Sequence, residues 1–124
     1  MRGKLVLEQL SILHYLGAAL AAVSGIIHLY LGFLIGLTDF LGFSFILAGI
    51  GFFGGIVAVF TGFRLKLVYL MGIPFNVGQI VLWYMINQPD LAVFIRGEPL
   101  MDFVDKVAQI LLTFILVYLY LDEK

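Results

Sequence analysis

The 124-residue chain contains no cysteine and few charged residues. Without cysteine it can form no disulfide, no thiolate nucleophile, no iron–sulfur cluster and no cysteine-ligated zinc site. Charged residues make up 12% of the chain and hydrophobic residues 63%, whereas soluble domains contain about 25% charged and about 45–50% apolar residues. Such a chain cannot cover a globular surface with polar groups, so we predict a membrane protein with the lipid bilayer as its first partner.

A basic surface is missing as well. Seven lysine and arginine residues against eight aspartate and glutamate residues give a net charge of −1. This balance argues against nucleic acid as a partner. The sequence also shows no nucleophile–base pair, no cluster of metal-ligating residues and no soluble lobe, so we predict that the protein is not an enzyme.

Four long apolar runs dominate the chain, at residues 11–37, 41–62, 67–87 and 107–121. The fourth is long enough to span a membrane only if its helix begins near residue 101 and takes three charged residues into its first turns, so the predicted helix covers 101–121. A helix rises about 1.5 Å per residue, so about 20 residues cross the roughly 30 Å hydrocarbon layer. The short links 38–40 and 63–66 require antiparallel neighbours. Glycines within the runs, including Gly51 and Gly55, predict close helix packing. We therefore predict a single all-α domain over residues 1–124, an integral membrane four-helix up-down bundle.

Basic residues near the helix ends predict the orientation. The side that holds both termini has Arg2, Lys4, Arg64, Lys66 and Lys124, and the other side has Arg96 and Lys106. By the positive-inside rule, both termini are predicted on the cytoplasmic side of the cell membrane, with several passes between them. Residues 88–100 are predicted as an outer loop, because their apolar stretch 91–95 is too short to span.

Both histidines, His14 and His28, are predicted on one face of the first helix. Their fourteen-residue spacing puts them about 40° apart around the helix axis and roughly 21 Å apart along it. Small residues occupy the face between and beyond them. The spacing resembles the pattern of di-haem cytochromes b, in which one helix supplies a ligand to a haem in each leaflet. This resemblance covers the first helix only, and it implies haem b with His14 and His28 as axial ligands.

Two histidines so far apart cannot ligate the same haem, so each would need a second axial ligand. A parallel homodimer would pair each histidine with its copy. Met71 and Met85 on the third helix, also fourteen residues apart, would alternatively supply sulfur ligands at matching depths. The histidines are otherwise explained as hydrogen-bonded boundary residues or as contacts to an ion or a quinone. The sequence leaves these alternatives open.

The third helix carries a polar stripe. Asn76, Gln79, Trp83 and Asn87 fall on one side of it, and a stripe of this kind is too costly to face lipid. It is predicted to face protein. The amides would either join helices or line a pocket or polar pathway.

Charges open the fourth helix. Asp102 and Lys106 have the i,i+4 spacing of an ion pair, with Asp105 beside them. Polar residues of three helices are predicted to converge in the outer half of the bundle, under an aromatic lid and the segment 88–100. The predicted ligand-binding residues are His28, Asn76, Gln79, Trp83, Asn87, Asp105, Lys106 and Gln109.

Several stretches of the chain, at residues 13–15, 25–32, 72–75, 79–89 and 105–109, carry a resemblance that spans most of the sequence. They resemble a family of short four-helix archaeal membrane proteins of unknown function. The resemblance implies a four-helix membrane protein and an archaeal source, and it implies no activity.

We predict a small integral membrane protein that acts as a binding, accessory or scaffold subunit, either homo-oligomeric or part of a larger membrane complex. One alternative is an electron-transfer subunit that holds b-type haem or contacts quinone through His14 and His28. Another is a small channel or carrier subunit. The residues that would line its route are His28, Asn76, Gln79, Asp105 and Lys106.

Overall fold

A computed structural model describes residues 11–88, 90–97 and 99–122. Arg2, Lys4 and Lys124, on which part of the predicted orientation rests, lie outside the described residues. The helices are α1 (Ile12–Ile35), α2 (Phe40–Thr61), α3 (Leu65–Asn87), α4 (Leu91–Ile95) and α5 (Leu100–Asp122). Across the described ranges the chain is helical without strands, which confirms the all-α class. Each long helix begins and ends within two residues of the bounds of a predicted helix.

Three of the helices, α1, α2 and α3, are long and apolar enough to cross a membrane. Helix α5 has the same 23-residue length as α3, but its first two turns carry Asp102, Asp105 and Lys106. Large apolar side chains nevertheless cover the outside of all four long helices. Phe33 is 67% exposed and Phe114 is 70% exposed. A soluble helix shows the opposite pattern, with its apolar stripe turned inward.

The links between helices have local causes. The Asp39 carboxylate caps α2 by accepting a hydrogen bond from the Leu41 amide at 2.8 Å. Gly62 ends the same helix with a φ of 73°, a left-handed conformation that glycine adopts without strain. Asp90 caps the short helix α4 by accepting from the Ala92 amide at 3.0 Å. These caps let the chain reverse direction in a few residues.

Helix α1 packs closely along α2 because glycines bring their backbones together. A Cβ added to Gly49 would lie 2.6 Å from the Leu29 side chain and 3.0 Å from the Gly25 carbonyl oxygen. The prediction that glycines support close packing is correct for Gly49, but a Cβ added to Gly55 would meet no atom of the described residues within 4 Å. Helix α5 packs on both α1 and α3, whereas α2 and α3 make only a slight contact. The four long helices therefore meet tightly on three sides and loosely on the fourth.

Candidate functional site

A buried ion pair lies between the helices near the start of α5. The Lys106 Nζ atom is 3.0 Å from the Asp105 Oδ2 atom, and each residue is only 5% exposed. The predicted pairing of Lys106 with Asp102 is wrong. Asp102 lies a turn nearer the helix start, half-buried, where its Oδ2 accepts a hydrogen bond from Trp83 Nε1 at 3.3 Å. Lys106 instead pairs with the carboxylate that is buried beside it.

Side-chain amides extend this pair from α5 to α3. Lys106 Nζ also donates to Gln109 Oε1 at 2.7 Å, and Gln109 Nε2 donates to Gln79 Oε1 at 2.9 Å. Asn76 Nδ2 donates to the Gln109 carbonyl oxygen at 2.6 Å and to Thr113 Oγ1 at 2.8 Å. Burying a polar group is costly unless it is hydrogen-bonded, so these contacts stabilise the packing of α3 against α5.

His28 brings α1 to the same place. Its Nδ1 atom lies 2.8 Å from the Ser24 carbonyl oxygen and 3.8 Å from Asp105 Oδ1. The rings of Phe45 and Phe52 lie against the imidazole, each with its centroid 5.4 Å away. We call the residues that meet here the polar cluster. It consists of His28, Asn76, Gln79, Asp105, Lys106 and Gln109.

Aromatic residues cover the polar cluster toward the α4 end of the molecule. The Trp83 and Phe94 ring centroids are 5.0 Å apart, and those of Phe94 and Phe103 are 5.4 Å apart. The Lys106 Nζ atom lies 5.6 Å from the Trp83 ring centroid, within reach of a cation–π interaction. Asn87 stays outside the polar cluster, because it is exposed and its one hydrogen bond among the described residues goes to the Trp83 carbonyl oxygen of its own helix. The predicted residues thus meet, Asn87 excepted, in a closed arrangement.

A separate cavity of about 500 Å³ lies among the four long helices, toward the ends of α1 and α5 that carry His14 and Leu119. Its walls are mostly apolar and rich in small residues, such as Ala18 and Gly55, although His14, Tyr69 and Asn76 also line it. Two of its lining residues connect it to the polar cluster. Asn76 is a member of the cluster, and the ring of Phe52 contacts His28. Sequence reasoning missed this cavity, and the only signal for it was the density of glycines at positions 51, 54, 55 and 72.

The two predicted histidine–methionine pairs of haem ligands differ in the structure. His14 and Met71 both line the cavity, and the His14 Nδ1 atom lies 2.9 Å from the Ser11 amide nitrogen. His28 is buried in the polar cluster, whereas Met85 is 63% exposed on the outer surface of α3. Among the residues that the structure describes, no three His, Asp or Glu side chains come together as a metal site.

The fold and the site define a small all-helical protein with three membrane-capable helices and charges buried between helices. The chain belongs to a family of unknown function (DUF7475), whose profile matches residues 3–120. Comparison with curated proteins and with solved structures finds no match. The resemblance to an uncharacterised family is confirmed to that extent, while an archaeal source stays a prediction.

Proposed function

We propose that α5 spans the membrane together with α1, α2 and α3, which makes the protein an up-down four-helix bundle with both termini on the cytoplasmic side. The charges of Asp105 and Lys106 neutralise each other and are turned inward. The face that α5 turns outward is apolar or aromatic, and it is formed by Ile110, Leu111, Phe114, Val117, Tyr118 and Leu121. Lipid would therefore meet no charge on this face.

The function that the geometry supports best is the binding of a lipid-soluble molecule in the cavity. The observation that carries this proposal is the cavity itself, whose volume of about 500 Å³ falls within the range of about 300–1,000 Å³ for small-molecule sites. Residues of α2 and α3, including Gly51 and Met71, line it where these two helices make only slight contact. A molecule dissolved in the hydrocarbon layer would enter there.

In this proposal the polar cluster mainly holds the helices together, and Asn76 is the member that also lines the cavity. Its donors and acceptors are mostly used within the protein, and its charged residues are almost fully buried. A water-soluble ligand would have to break these contacts to enter. The cluster therefore fixes α1, α3 and α5 at one end of the cavity, which suits the predicted role of a small binding or accessory subunit.

Filling the cavity is expected to abolish ligand binding. Gly55 lines it, and a Cβ there would meet no atom of residues 11–88, 90–97 and 99–122 within 4 Å, so the side chain of Gly55→Phe would begin in open space and is expected to occupy the cavity. With dodecanol as the probe, we expect native mass spectrometry of the detergent-purified protein to show at least about a tenfold loss of bound probe.

The matched control is Gly78→Phe. A Cβ at Gly78 would also meet nothing within 4 Å in the part of the chain that the structure describes, but this residue does not line the cavity. We expect the control to bind dodecanol like the unmodified protein. Equal binding by the Gly55→Phe variant, or no binding by the unmodified protein, would contradict the proposed function.

A further inference from the structure

We infer that the cavity selects an apolar molecule that carries a hydroxyl group, and that this hydroxyl donates a hydrogen bond to the side-chain oxygen of Asn76. The inference rests on the proposed function and specifies the chemistry of its ligand. The class comprises alcohols with a long alkyl or isoprenoid chain, and phenols or quinols with an apolar tail. Their shared feature is one donor on a body that otherwise forms no hydrogen bonds.

The orientation of the Asn76 amide is determined by its neighbours. Its nitrogen contacts the Gln109 carbonyl oxygen at 2.6 Å, which only a donor can satisfy. The same nitrogen donates to Thr113 Oγ1 at 2.8 Å, while the Thr113 hydroxyl donates to the Gln109 carbonyl oxygen at 2.8 Å. The nitrogen of Asn76 is therefore directed toward α5. Its oxygen, which branches from the same carbon, is directed away from that contact.

The Asn76 oxygen has no hydrogen-bond partner within the described residues, although Asn76 is only 1% exposed. Asn76 also lines the cavity. A buried acceptor without a partner is unfavourable, so a ligand that supplies a donor here gains affinity by satisfying it. Because the oxygen has almost no accessible surface, a hydroxyl would reach it only if the side chains that line the cavity shift.

The rest of the cavity determines the rest of the ligand. Besides Asn76, the cavity wall carries the polar side chains of His14 and Tyr69, each of which has a partner within the protein. The other lining side chains are apolar, among them Phe52 and Phe75, and they offer no hydrogen bonds. A second polar group on the ligand would lose its hydration without compensation at these positions. An acceptor facing the Asn76 oxygen would be repelled. One donor on an apolar body is the chemistry that matches these walls.

A pair of probes tests the inference. The detergent-purified, unmodified protein is offered equal amounts of dodecanol and dodecyl methyl ether, in which a methyl group replaces the hydroxyl hydrogen, and native mass spectrometry measures the bound ratio. One hydrogen bond to the neutral Asn76 oxygen is expected to favour dodecanol by about five- to tenfold. Equal binding of the two probes would overturn the inference and leave the proposed function intact, whereas no binding of either would overturn the proposed function.

Substitution of Asn76 provides a second arm. In Asn76→Leu the acceptor is lost, so the preference for dodecanol over the ether is expected to disappear while the ether still binds. Asn87→Leu makes the same chemical change at an exposed position that does not line the cavity, and it is expected to keep the preference. A preference that persists in Asn76→Leu would also overturn the inference. If Asn76→Leu does not fold, the comparison of the two probes on the unmodified protein still tests the inference.

Discussion

Lys106→Met is expected to destabilise the protein by about 3–5 kcal/mol. The substitution keeps an apolar side chain of similar length, but it leaves the Asp105 carboxylate 5% exposed without its cation. The same change removes the donor to Gln109 Oε1, so the amide network loses one end. Thermal unfolding of the detergent-purified protein, followed by circular dichroism, measures the effect as a large drop in melting temperature.

The double variant Asp105→Asn, Lys106→Met distinguishes the stability lost through an unpaired buried charge from the stability lost through altered packing. It removes both charges together, and most of the lost stability is expected to return, because replacing a buried ion pair with uncharged groups is often neutral. Lys66→Met is the control, since Lys66 is exposed and its ammonium contacts the Tyr120 ring at the surface. We expect little change there. A Lys106→Met variant as stable as the unmodified protein would show that the ion pair is not buried as described.

Gly42→Leu is expected to force α1 and α2 apart. A Cβ at Gly42 would collide with the carbonyl oxygen of Gly36, which is backbone and cannot rotate away. Overpacking against side chains costs about 1–3 kcal/mol, and a backbone collision falls at or above the upper end of that range. Thermal unfolding is again the measurement, and we expect a loss comparable to that of Lys106→Met.

Gly78→Leu makes the same substitution where a Cβ meets nothing within 4 Å. Because both glycines lie inside helices, the gain in helix propensity is similar in the two variants. The difference between them therefore reports the collision at Gly42 alone. Equal melting temperatures would mean that α1 and α2 do not approach as closely as the structure places them.

Hydrophobic run length and helical periodicity were sufficient to predict the helices and the convergence of polar residues. Runs of about 20 apolar residues leave no alternative to helix in lipid, because every backbone group must be satisfied internally. A 3.6-residue period then places Asn76 and Gln79 on one side of α3. His28 and Gln109 meet them because an unpaired amide or imidazole facing lipid is costly. These predictions depend only on the length of the apolar runs, the helical period and the cost of exposing polar groups to lipid, all of which can be read from one sequence.

The cavity and the partner of Lys106 depend instead on distances between helices. Glycines that permit close packing and glycines that line an opening look the same in a sequence, as Gly49 and Gly55 show. Asp102 and Asp105 are both within reach of Lys106 along the helix. The carboxylate that pairs with Lys106 is determined by how deeply each one is buried. It also depends on Trp83, which lies on another helix and donates a hydrogen bond to Asp102. Spacing within one helix does not contain that information.

The spanning of the membrane by α5 is tested most directly by single-cysteine labelling. Because the chain has no cysteine, each variant carries one thiol. The positions used are all exposed: Thr38 before α2, Phe63 before α3, and Asp122 at the end of α5. A membrane-impermeant maleimide applied to sealed vesicles of one orientation is expected to label Phe63→Cys and Asp122→Cys from the same side, and Thr38→Cys from the opposite side. Labelling of Asp122→Cys together with Thr38→Cys would show that α5 does not cross the membrane and would contradict the four-helix account.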